Sequence, residues 1–170
     1  MIKPRTPAPP LDARLVSGAG WSLAEQTPER FTLVVFYRGY HCPQCQKQLS
    51  EIDRRLDDLA AVGISSVVAV SGDTEERARR TVQEWGLERL PVAYGASVDV
   101  MHAWGLFLSK AVKDGEADLF NEPGMFLVQP DGTLYSASVQ SMPFARPRLD
   151  DLIKGVQFIA DNDYPARGEV

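Results

Sequence analysis

The chain has 170 residues, of which 44% are hydrophobic and 24% charged, and its net charge is −5 at pH 7. This length suits a single globular domain, residues 1–170, with a core that needs no disulfide or metal for stability. The negative charge argues against nucleic acid or an anionic membrane surface as the main partner.

The first ten residues, MIKPRTPAPP, are rich in proline and are predicted to form an extended arm, residues 1–10. They contain no hydrophobic signal core, and no apolar run approaches the length of a membrane span, which favours a cytoplasmic location. The run FTLVVFYR at 31–38 is typical of a buried strand in a parallel sheet. From Pro43, which suits a first helical turn, apolar residues recur with helical spacing up to Gly63: Cys45, Leu49, Ile52, Leu56 and Leu59.

A second buried strand is predicted for SSVVAVS at 65–71. The helix that follows is expected to use Asp73 as its N-cap and to end at Gly86. After a short extended segment and a further helix that closes at Gly105, residues 106–122 are polar and show no periodicity. This segment is therefore predicted to be a loop.

A hairpin is the clearest prediction for MFLVQPDGTLYSASV at 125–139, because two apolar or alternating runs flank a Pro-Asp-Gly turn. The spacing of apolar residues from Leu149 to Ile159 predicts a final helix. Strands separated by helices imply parallel pairing, and the late hairpin adds antiparallel strands. The predicted fold class is thus a mixed α/β sandwich.

Both cysteines of the chain lie in FYRGYHCPQCQKQL, where the first buried strand ends and the first long helix begins. A helix start exposes unpaired N–H groups and the positive end of the macrodipole, so a thiolate there is stabilised and the thiol pKa falls. The C-x-x-C spacing is expected to put Cys42 on the exposed rim and Cys45 one turn inside, within disulfide reach. Arg38 and His41 are close enough in sequence to add positive charge. The pattern predicts a redox pair.

Two other interpretations of the cysteines stay open: buried structural thiols, and a zinc site. A lone C-x-x-C supplies two ligands, whereas structural zinc usually needs four. His41 and His102 are the only histidines of the chain. A Cys2His2 site would therefore use every available ligand.

The stretch VVFYRGYHCPQCQKQL, the PGMF step before the hairpin and the order of strands and helices resemble the thioredoxin fold. More closely, they resemble the peroxiredoxin-like branch, the alkyl hydroperoxide reductase and thiol-specific antioxidant family. The likeness spans about residues 10 to 160. It implies a three-layer α/β/α sandwich with a mixed central sheet and an N-terminal extension. It also implies an antioxidant thiol oxidoreductase that reduces peroxides or exchanges disulfides and needs no bound cofactor.

The same resemblance implies partners. Such enzymes take a peroxide or disulfide substrate and need an external dithiol reductant, such as a thioredoxin or glutaredoxin system. Members of this family often form dimers, so a homodimer is an expectation for this chain. The alternative class is a non-catalytic module on the same fold, either a redox sensor or a zinc-clipped binding domain.

Two alignments give the cysteines different roles. Aligned with thioredoxins, Cys42 is the attacking thiol and Cys45 the resolving thiol, and His41 replaces the usual tryptophan. Aligned without gaps to peroxiredoxins, Cys45 falls on the peroxide-attacking cysteine of the Pro-x-x-x-Thr-x-x-Cys motif. Cys42 then replaces the threonine and Arg38 replaces the proline.

The resemblance further implies supporting residues around the sulfurs. Pro123 falls on the position of the cis-proline that faces the cysteines in thioredoxin folds, and we expect a cis peptide bond there. Peroxiredoxins keep an arginine near the reactive cysteine, but residues 124–140 contain none. Arg38 or Arg146 could substitute for it, although a solvated or salt-bridged arginine is the default for each. Tyr40 and Tyr37 could line the site, although aromatic packing is their default role.

Overall fold

The computed structural model describes residues 2–170 of the chain, so that Met1, the first residue of the predicted arm, lies outside the described part. In that part, nine strands and five α-helices follow one another along the chain. Their bounds are β1 Asp12–Leu15, β2 Gly20–Ser22, β3 Thr32–Phe36, α1 Pro43–Arg54, α2 Leu56–Ala61, β4 Ser66–Val70, α3 Glu75–Trp85, β5 Val92–Tyr94, α4 Val98–Ala103, β6 Leu108–Lys110, β7 Leu119–Asn121, β8 Gly124–Val128, β9 Leu134–Val139 and α5 Leu149–Asn162.

Seven of these strands form one mixed sheet in the order β2-β1-β5-β4-β3-β8-β9. The central strands β3, β4 and β5 run parallel, as expected for strands joined by helical crossovers. The hairpin strands β8 and β9 are antiparallel, and β8 pairs with β3 in the register that places Phe36 opposite Gly124. The carboxyl end of β3, which leads to the cysteines, therefore lies near the middle of the sheet.

The core is divided by the sheet because successive strand residues point to opposite faces. Leu33 and Val35 of β3 pack in a cluster with residues of α1 and α5. Val34 and Phe36 of the same strand pack in a second cluster that includes Met101 of α4. Helices thus cover both faces, and the predicted three-layer α/β/α sandwich with a mixed sheet is confirmed.

The long helix predicted after the cysteines is divided into α1 and α2. Arg55 separates them with φ −115° and ψ 21°, and its amide donates to the carbonyl of Ile52 rather than continuing the α-helical pattern. Its guanidinium binds Asp58 and Asp150, and the latter belongs to α5. The break thus coincides with a contact to the distant helix α5. The spacing of apolar residues along the sequence cannot predict such a contact.

The prediction of a loop at 106–122 was wrong, because this segment contains strands β6 and β7 paired in a small antiparallel sheet. The strands are short and carry few apolar residues, so they show no clear alternation. Phe120, Asn121 and Glu122 are nonetheless almost completely buried. Their burial comes from packing against the segment that carries the cysteines, which is a tertiary contact.

The N-terminal segment runs beside β9. The amide of Arg5 donates to the carbonyl of Leu134 at 2.8 Å, and the amide of Leu134 donates to the carbonyl of Thr6 at 2.9 Å. These bonds satisfy backbone groups at the start of an edge strand that would otherwise be unpaired. Within residues 2–170, no helix combines the length and the apolar character needed to cross a membrane.

Candidate active site

The two cysteines lie on the segment 38–45, here called the redox turn, which comprises most of the loop after β3 and the first residues of α1. Cys42 is the N-cap residue of α1, and Pro43 occupies the first helical turn as predicted. The sulfur of Cys42 accepts a hydrogen bond from the backbone N–H of Cys45 at 3.2 Å. The first sulfur therefore satisfies one of the unpaired amides at the start of the helix.

Both cysteines are free thiols, and both are buried, with Cys42 at 1% and Cys45 at 0% exposure. The expectation that Cys42 lies on an exposed rim was wrong. Arg146 from the loop after β9 lies against the sulfurs, with Nη2 3.1 Å from Sγ of Cys45 and 3.7 Å from Sγ of Cys42. The site is covered by a residue about one hundred positions away in sequence, which the motif could not reveal.

Arg146 is held in place by two further bonds. Its Nη1 donates to Oε1 of Gln48 on α1 at 2.6 Å, and its Nε donates to the carbonyl of Pro143 at 2.8 Å. A planar guanidinium fixed at two edges presents its remaining donor in one direction. The sequence left Arg38 and Arg146 as candidates for the arginine beside the cysteines. The structure places the side chain of Arg146 against both sulfurs, whereas the default expectation was a solvated or salt-bridged arginine.

The two thiols have opposite tendencies to ionise. The pKa of Cys42 is lowered to about 6, first by the hydrogen bond from the Cys45 thiol and then by the Cys45 amide and the charge of Arg146, against an opposing effect of burial. The pKa of Cys45 is raised well above its ordinary value, mainly by burial and then by its neighbour Cys42. Cys42 is therefore the thiol of the pair that ionises more readily, and its thiolate is stabilised by the Cys45 thiol, the Cys45 amide and Arg146.

Arg38 acts on the sulfurs mainly through its backbone, and its side chain lowers the pKa of Cys42 less than Cys45 and Arg146 do. Its N–H donates to Sγ of Cys45 at 3.4 Å. Its guanidinium forms an ion pair with the buried Glu122 at 3.0 Å and lies 4.8 Å from the centre of the Phe120 ring. Ser109 of β6 donates to the other carboxylate oxygen of Glu122. The positive charge of Arg38 is thus paired with Glu122, which agrees with the default expectation of a salt-bridged arginine.

His41 does not add positive charge beside the thiolate, contrary to the sequence-based expectation. Burial, followed by the charge of Arg38, lowers the pKa of its imidazole, which keeps the ring neutral at neutral pH. Nη2 of Arg77 lies 3.3 Å from Nδ1 of His41, and the ring meets Phe120 edge-on at 4.7 Å. His41 is a packed and hydrogen-bonded neighbour of Cys42.

Neither tyrosine hydroxyl forms a hydrogen bond with a sulfur, although Tyr37 packs in the same core cluster as both cysteines. The ring of Tyr40 stacks on Trp85 of α3, and its hydroxyl bonds Glu84 and Arg80. Tyr37 is fully buried and also packs against Trp85. Aromatic packing, the default expectation for both, describes these side chains.

Pro123 follows β7 and lines a cavity of about 10 Å³ together with Gln48 and Arg146. The peptide bond before it is trans, and residues 2–170 contain no cis bond, so the prediction of a cis-proline was wrong. The trans form is the lower-energy default for an X-Pro bond. Proline in a matching sequence position does not by itself select the isomer.

Residues 2–170 contain no group of three or more His, Cys, Asp or Glu side chains placed to hold a metal ion. His102 belongs to α4, and the imidazole of His41 bonds Arg77. The described part of the chain therefore brings together no ligand set for the zinc interpretation.

The structure resembles those of solved peroxiredoxins at low sequence identity. Peroxidoxin BcpB from Mycobacterium tuberculosis is 16% identical, with a TM-score of 0.72 and coverage of 93% of this chain and 97% of that one. Reduced Prx3 from Vibrio vulnificus in complex with H2O2 is 14% identical, with a TM-score of 0.76 and coverage of 92% and 99%. The mitochondrial 2-Cys peroxiredoxin from Plasmodium falciparum is 13% identical, with a TM-score of 0.72 and coverage of 96% of each chain. A comparison with curated proteins found no significant match.

The structure thus combines a three-layer thioredoxin-like fold with two thiols at a helix N-terminus, a position that favours the thiolate. The model of the AhpC/TSA family matches residues 4–137, which include both cysteines. The chain belongs to the AhpC/TSA family, and it is an enzyme of the thiol peroxidase class. Arg146 lies beyond the matched residues.

Proposed function

We propose that the chain reduces hydroperoxides with Cys42 and Cys45 as one redox pair, in which Cys42 attacks first. The observation that carries the proposal is the sulfur of Cys42 at the N-cap of α1, with its pKa lowered to about 6. A thiolate is the nucleophilic form of cysteine, and it is already populated near neutral pH at this position.

The chemistry balances with these two residues and a reductant. The Cys42 thiolate attacks one peroxide oxygen, the O–O bond breaks, and Cys42 becomes a sulfenic acid while the alkoxide leaves and takes up a proton. The sulfur of Cys45 then attacks the sulfenic sulfur, and a disulfide forms as water leaves. An external dithiol returns both cysteines to thiols by exchange.

Arg146 supports the first step because its guanidinium is fixed 3.1 Å and 3.7 Å from the two sulfurs. A fixed positive charge at this point stabilises both the attacking thiolate and the negative charge that develops on the departing oxygen. Gln48 and the carbonyl of Pro143 hold the guanidinium before the reaction begins, so little reorganisation is required.

The burial of both sulfurs favours a small substrate. At 1% and 0% exposure, the sulfurs are better matched to a peroxide than to a disulfide on the surface of another protein. Disulfide exchange by the same pair is the alternative reaction. Three further points stay predictions: a cytoplasmic location, a thioredoxin or glutaredoxin system as the reductant, and a homodimer.

Peroxide consumption by Cys42→Ser and Cys45→Ser tests the proposal, with the thermal unfolding of each variant as the control for folding. We expect Cys45→Ser to form a trappable sulfenic acid in one turnover. Turnover with a dithiol reductant that acts on the disulfide should then stop, because this variant cannot form the disulfide. Cys42→Ser should form no sulfenic acid.

The reverse pattern would assign the attack to Cys45, and wild-type rates in both variants would eliminate the redox pair. Turnover of many peroxide molecules per wild-type chain separates an enzyme from a redox sensor, which oxidises once.

A further inference from the structure

A buried carboxylate supports the redox turn from behind. Asp73 follows β4, and the prediction that it is the N-cap of α3 was wrong, because Thr74 caps that helix. The side chain of Asp73 is only 1% exposed. One carboxylate oxygen accepts the backbone N–H of Tyr40 at 2.7 Å, and the other accepts Nε of Arg77 at 2.8 Å. A carboxylate removed from water in this way is stabilised by charge-assisted hydrogen bonds, which are stronger than neutral ones.

Gly39 lies directly against the same carboxylate. Its φ is +127°, and a Cβ atom added there would lie 2.8 Å from Oδ1 of Asp73. On the other side, Arg77 extends the contact through Nη2, which bonds Nδ1 of His41 at 3.3 Å and the carbonyl of Gly115 at 3.0 Å. Asp73 and Arg77 together hold the three consecutive residues that precede Cys42.

We propose that Asp73 is a positioning residue that fixes the redox turn so that the sulfur of Cys42 stays at the N-cap of α1. The inference rests on the proposed function of Cys42 as the attacking thiol. Asp73 has no hydrogen bond to either sulfur and acts through the backbone of Gly39 and Tyr40. Its charge alone would disfavour a nearby thiolate, whereas its positioning effect favours one. The two effects have opposite signs, so an experiment can separate them.

Asp73→Asn is the decisive variant because it keeps the size of the side chain and removes the charge that strengthens both bonds. We expect the pKa of Cys42, titrated through the ultraviolet absorbance of the thiolate, to rise by about one unit, comparable to a lost N-cap bond. The rate of peroxide consumption should then fall about fivefold near pH 6 and recover at higher pH, since only the thiolate fraction has changed.

Asp53→Asn provides a matched control. Asp53 is also a buried aspartate that accepts backbone N–H groups, those of Arg89 at 2.8 Å and Leu90 at 2.7 Å, but it lies in the last turn of α1, away from the sulfurs. Its replacement should lower the melting temperature and leave the thiolate titration unchanged. If Asp73→Asn also leaves the titration unchanged, or lowers the pKa of Cys42, the positioning role is wrong.

Gly39→Ala displaces the redox turn without changing the charge of Asp73. Alanine at a φ of +127° strains the backbone, and its methyl group also meets the carboxylate, so this variant should also raise the pKa of Cys42. If Asp73→Asn does not fold, Asp73→Glu decides the question: it keeps the charge and moves the carboxylate, so a raised pKa of Cys42 supports the positioning role and an unchanged pKa contradicts it. Thiolate titration requires no peroxidase activity, so a wild-type chain that fails to reduce peroxide would contradict the proposed function and leave the test of Asp73 intact.

Discussion

Two helix N-termini in this protein have the same backbone arrangement and different chemistry. The helices α1 and α3 follow the parallel neighbours β3 and β4, so they begin at the same edge of the sheet. At α1 the sulfur of Cys42 accepts the Cys45 amide at 3.2 Å, and at α3 the hydroxyl of Thr74 accepts the Arg77 amide at 3.4 Å. A hydroxyl oxygen is a good acceptor when neutral, whereas sulfur is a weak one until it is deprotonated. The same cap therefore stabilises a helix in one case and a thiolate in the other.

The surroundings enlarge this difference. The cap of α1 is buried, and Arg146 adds a positive charge beside its sulfur. The first turn of α3 carries the exposed Glu75 and Glu76, which suit the helix dipole but bring no cation to the cap. Reactivity thus needs both an ionisable cap atom and a distant residue that covers it.

The largest expected effect comes from removing the positive charge of Arg146, which lies beside the cap of α1 and has no counterpart at the cap of α3. Arg146→Gln should lower the second-order rate of peroxide reduction by about 100-fold, as for the loss of one preorganised donor at a reacting centre. The pKa of Cys42 should rise in the same variant, because a stabilising charge is lost. Arg148→Gln, an exposed neighbour in the same segment, is the control for a general loss of charge. Equal rates in the two variants would contradict the role given to Arg146.

A second, intermediate effect concerns pH. Because the pKa of Cys42 is lowered to about 6, the thiol is protonated and unreactive below that pH and is mostly thiolate above it. The rate of peroxide consumption should therefore rise about tenfold from about pH 5 to about pH 7 and then level off. Stopped-flow kinetics on the reduced protein can measure this profile. A rate that continues to rise to about pH 9 would show an unperturbed thiol.

The smallest effect on activity is expected at the other cap. Thr74→Ala removes the oxygen that accepts the Arg77 amide and should lower the free energy of unfolding by about 1 kcal/mol. The rate of peroxide reduction should stay at the wild-type value, because Thr74 has no hydrogen bond to either cysteine. Denaturant unfolding and the peroxidase assay on the same preparation check both parts. A clear loss of activity in the folded variant would mean that the two caps are coupled.

The elements with strong local patterns were predictable. The apolar run of β3, the helical spacing of Cys45, Leu49 and Ile52, and the Pro-Asp-Gly hairpin turn all identify structure through neighbours in sequence. The weak strands β6 and β7 were missed because their residues are buried by contact with the redox turn. The trans bond at Pro123 was missed because position in a motif does not select the isomer.

The candidate site divides in the same way. The sequence by itself determined the fold class and the location of the cysteine pair at a strand end and helix start, since both depend on periodicity and on the four unpaired amides of any helix. Only the tertiary structure decided which charged groups meet the sulfurs. Arg146 reaches Cys42 across 104 residues, while the charges of Arg38 and Arg77, nearer in sequence, are paired with Glu122 and Asp73. Such choices depend on how distant segments pack, and no local pattern in the chain encodes them.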